Sequence, residues 1–555
     1  MRDWRIAALA SGVAGLGAGE LIAAWVRPDA SPFVAVADAT VDLTPTGVKD
    51  LAIALLGPLD KVVLLVGVAA VLLACAYGIA RLGQRSVTAA VVGIAVLCGI
   101  GLLAAVTRPG AGVTYAVPSV VAGVVACGVF AKLASLLPAA AEDTEPEPSA
   151  SPASHEIPDG DAPDGDVPGE PAPDADVDPA TGGESGPVDG EDGPVGAEDG
   201  GYDRRRFLVA SGLAGVGAVA AAGLGRWLVY DRFGAARSRA ALTVPRPDST
   251  AAGAVDDLGA EVPGLSRFHT SNRDFYRVDT ALTVPQLRAD EWQLKIHGMV
   301  DRPLMINYEQ LVSRPLIERD ITIACVSNQV GGPYVGNARW IGVPLKEVLE
   351  EAGVRAGADQ VVSRSHDGMT IGTPTAALTD GRDAMLAVAM NGELLPIAHG
   401  FPVRMVVPGL YGYVSATKWV VELELTTFQA YDAYWIKQGW AQQAEVKTAS
   451  RIDTPRKDPR AGEVMVAGVA WAQHRGIRRV EVQVDDGPWQ DAELAEATSV
   501  DTWRQWRYPW QATPGTHRLR VRATDGDGQR QTDRKQSSFP DGATGWHEVE
   551  VSVSA

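Results

Sequence analysis

Long unbroken apolar runs fill the first quarter of the chain, and short alternating ones fill its second half. Residues 6–26, 62–80, 87–106 and 113–137 form four runs. Each is close to the roughly 20 residues a helix needs to cross a bilayer. A fifth run, 207–229, is rich in Ala and Gly, which favours close helix packing. Residues 51–57 are apolar too, but Pro58 and Asp60 interrupt them, and they read as an interfacial piece. After residue 260 the pattern changes. Residues 292–298 alternate like a half-buried strand, 361–364 and 403–407 read as strands, and 308–312 and 344–352 read as short helices. That mixture, without regular βαβ alternation, predicts an α+β domain over 260–428. Beyond it, 464–470, 480–484, 518–523 and 547–553 alternate between turns such as Asp485-Asp486-Gly487-Pro488, which predicts an all-β sandwich over 430–555. Asp525-Gly526-Asp527-Gly528 superficially suggests a calcium loop, but Gln536 stands where the twelfth-position glutamate belongs, so a hairpin turn is expected.

Charge sharpens the division. The net charge of −19 is local, because residues 141–200 hold nineteen Asp and Glu and no Lys or Arg. With almost no large apolar side chain, the segment 138–206 is expected to be a disordered acidic linker, or an acidic interaction tail. The rest of the chain is near neutral, and no basic surface points to nucleic acid. Basic residues also orient the apolar runs. Arg2 and Arg5, Arg81 and Arg85, and Arg204, Arg205 and Arg206 all fall on one side if there are five crossings. Placing that side in the cytoplasm puts everything after about residue 230 outside, against weaker opposing charge at Arg27, Lys49, Lys61 and Arg108. Arg204-Arg205-Arg206-Phe207-Leu208 is similar to a twin-arginine export signal; a plain positive-inside anchor would carry the same arginines. Glu20 inside the first run is a functional carboxylate or the partner of a neighbouring helix. None of the eight histidines lies in an apolar run, so these runs supply no His pair for haem.

The chemistry centres on Cys325. The chain has four cysteines, and Cys75, Cys98 and Cys127 fall in apolar runs. Cys325 follows the β-branched stretch Ile321-Thr322-Ile323 and precedes Ser327-Asn328 and the pair Gly331-Gly332. A strand thus delivers one thiol to a loop whose backbone can approach a ligand closely. In an exported domain such a thiol has no disulfide partner; it is a reactive group or a small core side chain.

Several segments together resemble the sulfite oxidase superfamily of molybdopterin enzymes. Cys325-Val326-Ser327-Asn328 is similar to the Cys-x-x-Asn loop whose thiolate binds molybdenum. Residues 390–396, His399-Gly400-Phe401-Pro402-Val403-Arg404 and Val406-Val407-Pro408-Gly409 resemble the pterin-binding segment. Tyr411-Gly412-Tyr413-Val414-Ser415-Ala416-Thr417-Lys418-Trp419 resembles the loop that closes on the pterin phosphate, and Asn272-Arg273-Asp274-Phe275-Tyr276-Arg277 the N-terminal cofactor segment. The resemblance covers about residues 260–555. It implies an α+β domain of sulfite-oxidase type, an immunoglobulin-like dimerisation domain after it, and a molybdopterin cofactor. It implies Cys325 as the metal ligand, and Asn272, Arg273, Tyr276, Arg277, Ser327, Asn328, Thr373, His399, Arg404, Ser415, Ala416, Thr417 and Lys418 as cofactor contacts. A soft thiolate suits a redox metal, and a phosphate needs cations and backbone donors.

Two departures bear on the substrate. Sulfite-oxidising members carry an arginine soon after the Cys-x-x-Asn element, where this chain has Gln329-Val330-Gly331-Gly332; their Arg-Asn-His reads Ser271-Asn272-Arg273 here. Phe275-Tyr276-Arg277 looks more like the periplasmic methionine-sulfoxide reductase branch, from which His399 departs in turn. The reading is therefore a membrane-anchored, extracytoplasmic oxidoreductase that transfers an oxygen atom. Its partners are a small-molecule oxo donor or acceptor and a separate haem or quinone electron carrier, and it is a possible homodimer. Tyr434, with Trp435 and Trp440, is placed at the substrate pocket or between domains. The rivals are a sulfite dehydrogenase, a protein-sulfoxide reductase, a cofactor-free surface binding module, and a scaffold whose helices recruit a partner enzyme.

Overall fold

A computed structural model describes residues 2–27, 30–44, 60–108, 111–137, 203–232, 234–251, 253, 256–281, 283–456 and 458–555. The expected interfacial piece at 51–57 and the acidic linker up to residue 202 lie outside the described residues.

The N-terminal part contains α1 (Arg2–Val26), α2 (Pro32–Leu43), α3 (Asp60–Arg85), α4 (Val87–Val106), α5 (Ala116–Ala134) and α6 (Arg204–Arg232). Five of these helices, all but α2, are long and apolar enough to cross a membrane. The outer faces stay apolar: Val13, Val92, Val96, Leu213 and Val216 are exposed, the arrangement lipid requires. Small residues let α1 sit in the middle. A Cβ added at Gly15 would stand 2.7 Å from the Ala126 Cβ on α5, and one at Gly17 would stand 2.9 Å from the Ala218 Cα on α6. α6 begins at Arg204, earlier than the expected residue 207, because Asp203 caps it: its Oδ1 accepts from the Arg206 N–H at 3.0 Å. α2 was not foreseen. Ser31 starts it, accepting from the Val34 N–H at 3.3 Å, and Pro32 occupies the first helical position, where its missing N–H costs nothing.

The α+β unit holds β1 (Gln293–Gly298), β2 (Leu304–Asn307), β3 (Ile317–Ala324), β4 (Val335–Pro344), β5 (Gln360–Ser365), β6 (Thr370–Pro374), β7 (Met385–Met390), β8 (Glu393–Leu394), β9 (Arg404–Val406) and β10 (Val420–Thr426). One sheet runs β2-β1-β10-β5-β6, with β1 and β10 parallel. The other runs β3-β4-β7-β8, with β9 also on β7. Their shared core includes Trp292, Leu294, Ile296, Leu311, Ile321, Ile323, Trp340 and Val343. β1 alternates exposed and buried positions as its sequence predicts, whereas β7 is buried throughout. An unbroken apolar run of six carries no strand periodicity, which is why it escapes sequence reading. The unit also starts before residue 260: Arg239 Nε donates to the Leu395 carbonyl at 2.9 Å, and Ser249 bridges to Ile317.

The C-terminal part is all β. Ala449–Thr454, Gly462–Trp471, Arg504–Ala512 and Glu493–Leu494 form one four-stranded antiparallel sheet. Gln490–Asp491, Ile477–Val484, Gly515–Asp525 and His547–Val553 form another. Val466, Val480, Trp506, Leu519 and Val521 pack between them. Asp525–Gly528 is the expected turn, closed by the Gly528 N–H on the Asp525 carbonyl at 3.0 Å.

These sheets grip the strand that carries the cysteine. On β3, Thr322 donates its N–H to the Asp501 carbonyl at 2.9 Å, and its Oγ1 accepts from the Trp503 N–H at 2.7 Å. Gln473 Nε2 donates to the Thr322 carbonyl at 3.2 Å. Past the cysteine, Arg451 Nη1 donates to the Gly332 carbonyl at 2.8 Å.

Candidate active site around Cys325

β3 ends at Ala324 and delivers Cys325 into a buried turn, where its N–H donates to the Tyr334 carbonyl at 2.9 Å. Asn328 holds the turn closed, its Oδ1 accepting from the Tyr334 N–H at 2.8 Å. The glycine pair is required here. Gly331 has φ +76°, and a Cβ on Gly332 would stand 2.6 Å from the Asn328 Oδ1. The backbone N–H and hydroxyl of Ser327 lie close enough to the Cys325 sulfur to favour its thiolate form. Burial pushes the thiol up, while the Ser327 donors and the nearby Lys418 charge pull the other way. A thiol with donors and a cation close to its sulfur is prepared to bind metal as the thiolate.

Three cations converge beside it. Arg404 is buried on β9, with Nη1 on the His399 carbonyl at 3.2 Å and its guanidinium 5.1 Å from the Trp340 ring centre. Burial lowers its pKa to about 10. Lys418 is buried too, and its Nζ donates to Asp279 Oδ2 at 2.6 Å. Burial drives its pKa down to about 8; Arg404 and Arg277 add to the fall, and Asp279 opposes it. Arg277 donates to the same Asp279 oxygen at 2.7 Å. Three cations thus face one buried carboxylate, an excess of two positive charges. Among the described residues no carboxylate pairs with Arg404. Gly400, with φ +110°, lets these segments meet: a Cβ there would stand 3.0 Å from the Arg404 Cβ and 3.2 Å from the Lys418 Cα.

His399 belongs to the same cluster. Its Nε2 donates to the Asn272 carbonyl at 3.0 Å, and its ring meets Phe275 edge-on at 5.8 Å. Burial and the charges of Arg404, Lys418 and Arg277 lower its pKa to about 4, so it is neutral at pH 7. Tyr276 stacks on Phe275 at 5.4 Å, and the electrostatic fields of Cys325 and Arg404 reach its hydroxyl. Burial holds that phenol well above its ordinary range.

The remaining expected residues divide. Ser415 (Oγ on the Tyr411 carbonyl, 3.0 Å), Ala416 (N–H on the Gly412 carbonyl, 3.0 Å) and Thr417 (Oγ1 to Ser363 Oγ, 2.5 Å) shape the loop before Lys418. Thr373 is fully buried and donates to the Val414 carbonyl at 2.6 Å, so its hydroxyl braces that loop rather than opening toward a ligand. Asn272 spends its amide on Glu393 Oε1 at 2.5 Å and the Met390 carbonyl at 3.1 Å, leaving its own carbonyl for His399. Arg273 is exposed. Tyr434 does not join the group; it lines a cavity on the side of the apolar helices. Asp279 and Trp340 were missed, and Asp279 left a trace in the sequence, as an acid two residues after Arg277.

The region from 281 to 435 matches the family described as oxidoreductase molybdopterin binding domain. An uncharacterised oxidoreductase of Bacillus subtilis, YuiH, is 32% identical over 157 residues, which is 28% of this chain and 75% of that protein. The chain belongs to the sulfite oxidase type of molybdopterin-dependent oxidoreductases. Rat mitochondrial sulfite oxidase is 28% identical over 275 residues, 41% of this chain and 50% of its own length. Among solved structures, the sulfane dehydrogenase SoxCD of Paracoccus pantotrophus is similar over 52% of this chain and 82% of its own, at 22% identity and a TM-score of 0.47. The protein is accordingly a molybdenum oxidoreductase with molybdopterin as its cofactor, and the reading as a cofactor-free surface module falls away. The residues suit that group: a buried thiol, and beside it the buried Arg404 and Lys418, the latter sharing one carboxylate, Asp279, with the more exposed Arg277.

Proposed function

We propose that the protein is a membrane-anchored, extracytoplasmic oxidoreductase that moves an oxygen atom between water and a small substrate. The observation that carries this is the juxtaposition of the buried Cys325 thiol with Arg404, Lys418 and Arg277. Cys325 is the metal ligand, held in register by β3, Ser327 and Asn328. Arg404, Lys418 and Arg277, with the exposed Arg273 at the edge and the backbone of 415–417, hold the phosphate of the cofactor. Tyr276 and His399 flank the pterin, His399 as a neutral ring whose Nε2–H is committed to the Asn272 carbonyl and whose Nδ1 is left as an acceptor. The bound group supplies two-electron oxo chemistry; the chain orients it, neutralises its phosphate and keeps bulk water away.

The loop after Cys325 favours a neutral substrate over an anion. Gln329 turns its amide to Ser538 Oγ at 2.9 Å, and residues 330–332 carry no charge. A sulfoxide is therefore the first substrate class to test, with sulfite as the alternative. We place the α+β unit outside the cytoplasm on the strength of the arginines at positions 2, 5, 81, 85 and 204–206, and read Arg204–Leu208 as a twin-arginine signal. We read the two C-terminal sheets as an immunoglobulin-like domain that can also pair two copies.

The test is metal analysis of the purified chain from cells that make molybdopterin. The expected result is about one molybdenum per chain, lost in Cys325→Ser, while the chain still folds. A Cys325→Ser protein with full molybdenum and full turnover would overturn the assignment. Turnover of methionine sulfoxide against sulfite then decides the substrate.

A further inference from the structure

A cavity of about 940 Å³ lies away from Cys325. It lies between the helices and the α+β unit. Its helical floor carries apolar side chains, Ala23 of α1, Val34 and Ala39 of α2 and Ala104 of α4, between the charged groups of Glu20, Arg27, Asp38, Arg108 and Arg226. Its roof comes from the α+β unit and is mixed, with His366, Tyr434 and Gln286 beside Leu287, Trp292 and Ile397. The two sides meet where Arg27 Nη1 stands 3.3 Å from His366 Nε2. Glu20, hydrogen-bonded by Ser31, also stands in the wall. The size is that of a small-molecule site, and the amphipathic lining suits a ligand with a polar head and a greasy tail.

One stretch joins this cavity to the cofactor site. Ile397 and Ala398 line the cavity, and the next residue, His399, belongs to the cation cluster. Trp419, which follows Lys418, donates its Nε1–H to the Ile397 carbonyl at 2.9 Å and its backbone carbonyl accepts from the His366 N–H at 2.8 Å. The wall of the cavity and the wall of the cofactor site are thus the same short stretch of chain. The apolar helices carry no histidine, so they offer no such ligand for a fixed haem.

We propose that this cavity binds a lipid-soluble quinone or quinol, the electron partner of the cofactor site. The head group takes hydrogen bonds where Arg27 and His366 meet, and the tail lies against the apolar side chains of both walls, Val34, Ala39 and Ala104 below and Leu287 and Trp292 above. This rests on the oxygen-transfer reading above. The exchange balances: the substrate gains an oxygen atom from water and gives up two electrons and the two water protons, which convert the quinone to quinol. A reductase runs the same exchange backwards. Glu20 stands in the wall as a carboxylate through which those protons can pass. The helices then do more than anchor, since α1, α2 and α4 build the floor of a redox site.

The test is photolabelling of the full chain in lipid nanodiscs with an azido-quinone, competed with decylubiquinone and mapped by mass spectrometry. Saturable labelling within residues 20–39, 281–293 or 366–369 is expected. Ala39→Trp and Ala104→Trp, which fill the floor from different helices, should each cut that labelling at least tenfold without changing molybdenum content. Label that does not saturate, that spreads evenly over lipid-facing residues such as Val96 and Val216, or that survives both substitutions overturns the proposal. Cys325→Ser separates this from the reading beneath it: molybdenum should be lost and labelling kept. Molybdenum retained with saturable label would refute the ligand assignment and leave the quinone site standing.

Discussion

Asp279 is the most informative single residue to change. It is buried and accepts from Lys418 at 2.6 Å and Arg277 at 2.7 Å. In Asp279→Asn the Lys418 ammonium loses its counter-charge, and its pKa falls further below about 8. The folded chain escapes the cost by releasing that proton, which sets a ceiling. From a starting pKa of about 8, neutralising Lys418 costs about 1.4 kcal/mol at pH 7, about 3 at pH 6 and almost nothing at pH 9. At roughly 2–4 °C per kcal/mol, the drop in Tm at pH 7 is about 3–6 °C from this source alone. The assay is scanning fluorimetry of the full chain in detergent, made in a host without molybdopterin, at pH 6, 7 and 9. The loss should grow as pH falls. In protein loaded with cofactor the phosphate becomes the counter-ion, and the loss at pH 7 should shrink below half. A loss independent of pH, or one equally large in loaded protein, would refute the view that Asp279 stands in for an anion.

His399 gives a second pH dependence. It is folded as the neutral ring with a pKa of about 4, while the unfolded chain takes up the proton near 6.5, so stability falls as pH drops from 6.5 to 4, by up to about 3 kcal/mol. Urea midpoints at pH 7, 5 and 4 should show this in the cofactor-free protein and show a flatter profile in His399→Gln. Thr322→Val leaves the Trp503 N–H and Asn337 Oδ1 short of a partner in a buried site, at a cost of about 1–3 kcal/mol. Because the strand it loosens carries Cys325, molybdenum retention after dialysis should fall with it. Gly17→Leu forces α1 away from Ala218, so the helical part should lose its resistance to proteolysis in mild detergent while the α+β unit keeps its molybdenum.

What could be read from the sequence was whatever has a period or a punctuation mark. The five apolar helices show as long runs, and β1 and the strand at His547–Val553 show as alternation. Tyr308–Val312 forms the expected short helix, started at Asn307, whose side chain accepts from the Gln310 N–H at 2.8 Å. β7 and Thr373 were opaque for opposite reasons. β7 is apolar at every position, so nothing distinguishes it from a helix segment, and Thr373 looks like a ligand contact until the Val414 carbonyl is found in front of it. Tyr434 lines the cavity beside the helices, a placement that its position just before the sandwich does not reveal. Asp279 was missed because its value lies in Lys418, 139 residues away.

The cation cluster also bears on the order of events in the cell. Arg404 and Arg277 lower the proton affinity of Lys418 through space, so the cofactor-free site holds charges that its own residues do not balance. A bound phosphate removes that repulsion, which means the cofactor stabilises the α+β unit as well as serving its chemistry. The C-terminal sheets hold β3 through Thr322, Asp501 and Trp503, so loosening at Cys325 is transmitted to the all-β part. A chain that is most stable only when loaded suits an export route for folded proteins, the route proposed above for the arginines ahead of Phe207. Blocking molybdopterin synthesis should therefore lower the amount of exported protein, not merely its activity. Equal amounts of the α+β unit outside the cell with and without the cofactor would show that the cluster is tolerated as it stands, and that export does not depend on filling it.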